Sequence, residues 1–256
     1  SKWAFHHVRE IVPTADIENK SGLVNNLSLD IQRFEDLNLE LAMEETETDA
    51  IVIAQNNSIL FEKYNNGMSE KSPHILFSVS KSILGLIVGA LIGNKTLNES
   101  DLIIKFVPEL KMTAYSDATV RDLLDMRVGV KFDEDYTATT GPIINYRYAA
   151  NWNPVPVGVE AGDLKSFMGS LTERDGIHND RFHYVSPNTD LLAWVCERAS
   201  GIRYSDLISE LLWTPLGAES SGYITVDRLG GMRAAGGVCF TARDLARVGL
   251  MIGNYG

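Results

Sequence analysis

Hydrophobic positions along this chain switch between a helical period, an extended period and unbroken apolar runs. The longest run, Ile83 to Gly93, holds 11 residues between Lys81 and Lys95, well short of the roughly 20 that a membrane span needs. It reads as a buried helix. Its glycines, Gly85, Gly89 and Gly93, recur every fourth residue. Each glycine costs about 1 kcal/mol in a helix interior, so the stripe predicts close approach of another backbone. Upstream, Leu27 to Met43 predicts an amphipathic helix. Ala50–Ala54 and Ile59–Tyr64 then predict the two strands of a hairpin, turning at Asn56-Asn57, since asparagine tolerates positive φ.

Further along, Thr119-Val120-Arg121-Asp122 carries the pattern of a capped helix start. Residues 128–162 read as a long irregular stretch of the kind that is usually functional or mobile. Helices are predicted over Leu164–Leu171, over Asn188–Ser200 with Gly201 closing it, and over Tyr204–Trp213. Tyr223–Val226 is a strand candidate, and Thr241 opens a last capped helix to about Gly253. The order predicts an α/β (α+β) fold, an antiparallel sheet flanked by helices plus an α-helical part. Residues 1–75 and 221–256 would build the α/β part, and residues 76–220 the helical part. Two early strands and one late one leave the sheet incomplete, the expectation for a C-terminally truncated chain.

Composition narrows the field. The 256 residues carry 23 basic and 34 acidic side chains, a net charge of −11, so no basic footprint points to nucleic acid. Cys196 and Cys239 both sit in apolar surroundings and read as core thiols. No histidine spacing suits zinc, and neither a phosphate loop nor a Gly-x-Ser-x-Gly elbow occurs. Neither a cofactor nor a metal is implied. The chain begins at Ser1, so cytoplasm and periplasm stay equally open, and a homodimer is compatible with the pattern.

The candidate chemistry lies at the head of the apolar helix, in Phe77-Ser78-Val79-Ser80-Lys81. Positions three apart share a helix face, so Ser78 and Lys81 can enter one cavity as nucleophile and base. The helix N-terminus offers backbone N–H groups to a developing oxyanion. On spacing alone, a capping serine and a snorkelling lysine are the commoner arrangement. Tyr184-Val185-Ser186 adds a phenol and a hydroxyl that face the same way in extended chain. Alone, that pair is more often a core aromatic beside a helix cap. His183, beside Tyr184, is a candidate to line the site, though a structural histidine is the commoner case.

Together these stretches resemble the serine β-lactamase and penicillin-binding-protein family, in its class C-like branch. The resemblance sharpens toward the 6-aminohexanoate-dimer hydrolase group through Val107-Pro108-Glu109-Leu110, Glu134-Asp135-Tyr136, Asn188-Thr189-Asp190 and the run from Thr241 to Gly249. It implies an acyl-enzyme on Ser78, with Lys81 accepting its proton and Tyr184 relaying one to the leaving group. Tyr136 and Ser186 would hold a small-molecule ester or amide substrate. A β-lactamase, a D-alanyl-D-alanine carboxypeptidase and a non-catalytic sensor on the same fold are the alternatives. Two departures stand out: Ala235 where the group carries asparagine or histidine, and Arg147 where some relatives place an acid. The third family motif, a Lys/His-x-Gly strand, is expected beyond Gly256.

Overall fold

The structure is a computed structural model that describes residues 2–32, 34 and 38–256. After a short helix α1 (Lys2–Phe5) come strands β1 (Thr14–Ile17) and β2 (Ser28–Leu29), then helix α2 (Leu39–Glu45). The hairpin β3 (Ala50–Gln55) and β4 (Ser58–Tyr64) follows, and β5 (His74–Ile75) leads into helix α3 (Ser80–Gly93). A helical stretch holds α4 (Val120–Leu124), α5 (Pro142–Ala149), α6 (Leu164–Ser170), α7 (Ser186–Ser200), α8 (Tyr204–Ile208) and α9 (Thr214–Leu216). Strands β6 (Gly222–Thr225) and β7 (Val238–Phe240) and helix α10 (Ala242–Gly253) complete it. No helix among the described residues is long and apolar enough to cross a membrane.

The predicted mix of helices and antiparallel sheet is present, with more strands than the sequence pattern suggests. β1, β6, β7 and β5 pair antiparallel in that order, while β3 pairs β4 and β2 runs parallel to β4. The hairpin turns where expected: Asn56 and Asn57 take φ of 47° and 60°, the left-handed pair that matches the twist of two strands. β1 and β7 escape the pattern because they are four and three residues long. β7 is buried on both faces and shows no alternation.

The predicted helix over Leu27–Met43 is shorter than expected. Among the described residues of that stretch, helix is confined to Leu39–Glu45, capped by Asn38 Oδ1, which accepts from the Leu41 N–H at 3.1 Å. Residues 33 and 35–37 lie outside the described ones. Over residues 28–32 the chain is extended instead, with the N–H groups of Ser28, Asp30 and Gln32 donating to the carbonyls of Asn57, Ile59 and Leu60. The edge of β4 needs a partner, and that demand overrides helix propensity. Within residues 128–162, Gly141 at φ 93° and Pro142 at the first helical position start a helix where irregular chain was predicted.

Helix α3 buries Ile83, Leu84, Ile87, Val88 and Leu91, each worth about 1.5–3 kcal/mol when fully sealed from water. Its glycine stripe has no close neighbour. A Cβ added at Gly85, Gly89 or Gly93 would meet nothing within 4 Å, so the expected backbone approach is not found among the described residues. Helix α7 is buried from Ser186 through Cys196 and ends as predicted, on Gly201 in the left-handed region. Both cysteines are free and buried, and burial pushes each thiol up to about 12.

The head of α3 is fixed to the sheet. Leu76 N–H donates to the Val238 carbonyl at 2.8 Å, and Val238 N–H donates to Ser80 Oγ at 3.2 Å. Helix α10 is tied to the hairpin by Arg243, whose guanidinium donates twice to Glu62, at 2.6 and 2.8 Å. These hydrogen bonds hold the Glu62 carboxyl below its ordinary value. A depressed carboxylate stabilises the fold above its unfolded value, about pH 4.3, and loses that contribution as pH falls through the folded one. Arg243→Met is therefore expected to cost about 1–3 kcal/mol at neutral pH. Urea unfolding across a pH series should show the deficit shrinking below about pH 4.

Candidate active site

Ser78 lies in a short 3-10 turn, Phe77–Val79, directly ahead of α3. It does not cap the helix, because the cap position is Val79 and no side chain bonds the first turn. Its Oγ is instead met from two sides. Lys81 Nζ donates to it at 3.2 Å and Tyr184 OH donates to it at 2.7 Å. Lys81 Nζ also lies 4.9 Å from the Tyr184 ring centroid and donates to the Ala235 carbonyl at 2.7 Å. Residues 106 apart in sequence thus converge on one oxygen.

The backbone beside the serine is unusual. Phe77 takes φ 44°, a left-handed conformation that costs a residue with a Cβ about 1–2 kcal/mol. Its ring is held edge-on to Phe5, with centroids 5.2 Å apart, and to Trp152 at 5.9 Å. Strain of this kind persists only where the surroundings over-determine it.

Behind Lys81 lies a second layer that the sequence reading missed. Ala235 N–H donates to Asp190 Oδ1 at 2.7 Å, while Tyr146 OH donates to Asp190 Oδ2. The Ala235 peptide therefore joins a buried carboxylate to the lysine. Burial pushes the Asp190 carboxyl up, against the pull of the Arg233 charge. Ala235 serves the site through its carbonyl rather than its side chain.

Ser78 opens onto a cavity of about 500 Å³, lined by Phe77, Glu134, Tyr136, Arg147, Trp152, Asn153, Ser186, Arg233, Ala235 and Gly236. Tyr136 and Ser186 are both there. Glu134, quoted in the sequence only as a neighbour of Tyr136, joins them. Its Oε2 accepts from Ser186 N–H and its Oε1 from Ser186 Oγ and Tyr136 OH, each at 2.6 Å. Burial and that carboxylate raise the Tyr136 phenol well above its ordinary value, so it stays a donor. Arg147 donates to the Tyr136 carbonyl at 3.1 Å. His183 is not among the lining residues.

The turn from β6 to β7 delivers Ala235 and Arg233. Gly237 is obligatory in it, since a Cβ there would sit 2.2 Å from Thr225 Oγ1 and 2.8 Å from the Arg233 carbonyl oxygen.

The profile of the Beta-lactamase family matches residues 38–255. The chain belongs to the beta-lactamase family. A curated relative, 6-aminohexanoate-dimer hydrolase of Paenarthrobacter ureafaciens, is 36% identical over 257 residues, covering 98% of this beta-lactamase-family chain and 64% of the relative. The chain thus spans just under two thirds of that relative's length. A solved structure from Bacillus anthracis, provisionally assigned as a 6-aminohexanoate-dimer hydrolase, superposes with a TM-score of 0.90 at 24% identity, over 99% of this chain and 69% of that one. A penicillin-binding protein from Bacillus halodurans gives 0.63 at 16% identity, over 85% and 74%. At those identities the two structures speak for the fold alone.

The strain at Phe77 can be measured without any substrate. Phe77→Ala and Phe77→Gly both delete the ring, and only alanine keeps the left-handed penalty. The glycine variant should be the more stable by about 1 kcal/mol in urea unfolding. An alanine variant equal to or better than the glycine one would remove the strain from the account.

Proposed function

We propose that this beta-lactamase-family chain belongs to a serine hydrolase that acts through an acyl-enzyme on a small-molecule ester or amide. The observation that carries the reading is the convergence of Lys81 Nζ and Tyr184 OH on Ser78 Oγ. A serine hydroxyl is a weak nucleophile until a neighbouring base removes its proton. In this reading the Ser78 proton passes to Lys81 as Oγ bonds to the substrate carbonyl carbon. The tetrahedral intermediate collapses when Tyr184 protonates the departing amine or alcohol, and Lys81 returns a proton to Tyr184. Water then attacks the Ser78 ester, its proton goes back to the same pair, and Ser78 is regenerated with release of the acid.

Asp190 and the Ala235 peptide hold Lys81 in place in this scheme, and Glu134 fixes Ser186 and Tyr136 on the opposite side of the cavity. The 36% identity to a 6-aminohexanoate-dimer hydrolase supports amide chemistry. Arg147 and Ala235, at the two departures noted in the sequence, argue for a substrate different from that relative's.

A fluorophosphonate probe should add its mass to Ser78, and Ser78→Ala should abolish both the label and hydrolysis of p-nitrophenyl esters. Tyr184→Phe should lower kcat by about 10²–10⁴-fold, the usual worth of a general acid or base, with labelling of Ser78 retained or slowed. Turnover that survives in Ser78→Ala would sink the assignment. Nitrocefin hydrolysed faster than simple esters would move the reading to a β-lactamase.

A further inference from the structure

Resting on the serine-hydrolase reading, we propose that Asp190 and Arg233 are positioning residues for Lys81: the buried Asp190 carboxylate holds the lysine as an ammonium, and Arg233 keeps that carboxylate ionised. The hydrogen bonds around Asp190 are those of an anion. Oδ1 accepts from the Ala235 N–H and Oδ2 from the Tyr146 OH, so a carboxyl proton on either oxygen would displace a donor. The residue is buried, and burial pushes its carboxyl up. The largest force against that push is the charge of Arg233, and the charge of Lys81 adds to it. An attraction between two charges belongs equally to both, so the carboxylate favours the ammonium in return. Asp190 also anchors the N–H of the residue whose carbonyl accepts from Lys81 at 2.7 Å. One side chain thus supplies both the place and the field for the charge that Lys81 gains when Ser78 gives up its proton.

Arg233 acts on Asp190 without touching it. It shares the turn between β6 and β7 with Ala235, and its guanidinium packs 4.2 Å from the Trp152 centroid and 5.0 Å from that of Tyr146. Its Nε and Nη1 are sealed from water and have no hydrogen-bond partner among the described residues. A charge held this way is costly, and where water is excluded its field is little screened. The other titratable groups beside Asp190 are phenols. Burial and the carboxylate's own charge push Tyr115, Tyr146 and Tyr204 well above their ordinary values, so all three stay neutral. Glu134 adds the smallest of the effects on Tyr146. On its cavity side Lys81 meets the Ser78 hydroxyl and the Tyr184 ring. Two cations and one carboxylate therefore set the charge behind the serine.

The test follows p-nitrophenyl butyrate hydrolysis as a function of pH. Asp190→Asn keeps an acceptor for the Ala235 N–H and removes only the charge. It should lower kcat about tenfold, leave KM within about twofold, and move the acidic limb of kcat/KM down by about one pH unit. Arg233→Met keeps packing against the rings and should move the limb up, while Arg233→Lys should leave it in place. A structural defect lowers rates without moving the limb, so the opposite movements isolate charge. Arg233→Met decides the matter if Asp190→Asn does not fold. Limbs that stay in place in both variants overturn the proposal. A second readout needs no turnover: carbon NMR of the Lys81 side chain, titrated in Ser78→Ala protein carrying the same substitutions. If no ester is turned over and Ser78 takes no label, but that midpoint moves down in Asp190→Asn and up in Arg233→Met, the hydrolase reading fails and the pair stands. If esters are hydrolysed and neither limb nor midpoint moves, the pair fails alone.

Discussion

Both backbone groups of Val238 are spent on the head of α3, and every other feature of the cavity follows from that attachment. Its carbonyl accepts from Leu76 and its N–H donates to Ser80 Oγ, so strand β7 and the start of the helix cannot shift independently. Ser78 lies two residues from each of the tethered positions. The same strand is preceded by the turn that brings the Ala235 carbonyl to Lys81. A hydrogen bond of this kind contributes only about 1 kcal/mol net. Its larger effect is geometric, because it fixes the distance between serine, lysine and the peptide that holds the lysine.

Around that attachment, the polar groups of the cavity fall into two hydrogen-bonded groups. Asp190, Ala235, Lys81, Ser78 and Tyr184 form one connected chain of hydrogen bonds, and Glu134 closes a second group with Ser186 and Tyr136. Fully connected networks lock side chains in one arrangement. Trp152 Nε1 and the Nε and Nη1 of Arg233 stay outside these networks, buried without a hydrogen-bond partner among the described residues, and the guanidinium packs against aromatic faces.

The parts of this arrangement legible in the sequence were those written over short spacings. Ser78 and Lys81 share a face because helices repeat every 3.6 residues, and Tyr184 and Ser186 stood out as a phenol and hydroxyl two apart. The capped starts at Thr119 and Thr241 and the Asn56-Asn57 turn are local rules that the fold obeys. What stayed hidden depends on partners distant in sequence. β1 and β7 are too short to show a period, and the extended residues 28–32 answer to the edge of β4 rather than to their own propensity. Glu134 and Asp190 are ordinary acids until the groups that donate hydrogen bonds to them are known. Arg233 sits in a tight turn, and no local pattern distinguishes a solvated arginine from one pressed between Trp152 and Tyr146.

The excess of acidic side chains has a kinetic side. With a net charge of −11, the summed field of the protein disfavours anions and favours cations approaching from solution. Its reach is set by the Debye length, roughly 8 Å in physiological salt, beyond which exposed charges are largely screened. Arrival of a charged molecule at the Ser78 cavity would therefore respond to ionic strength even where bond making at the serine does not.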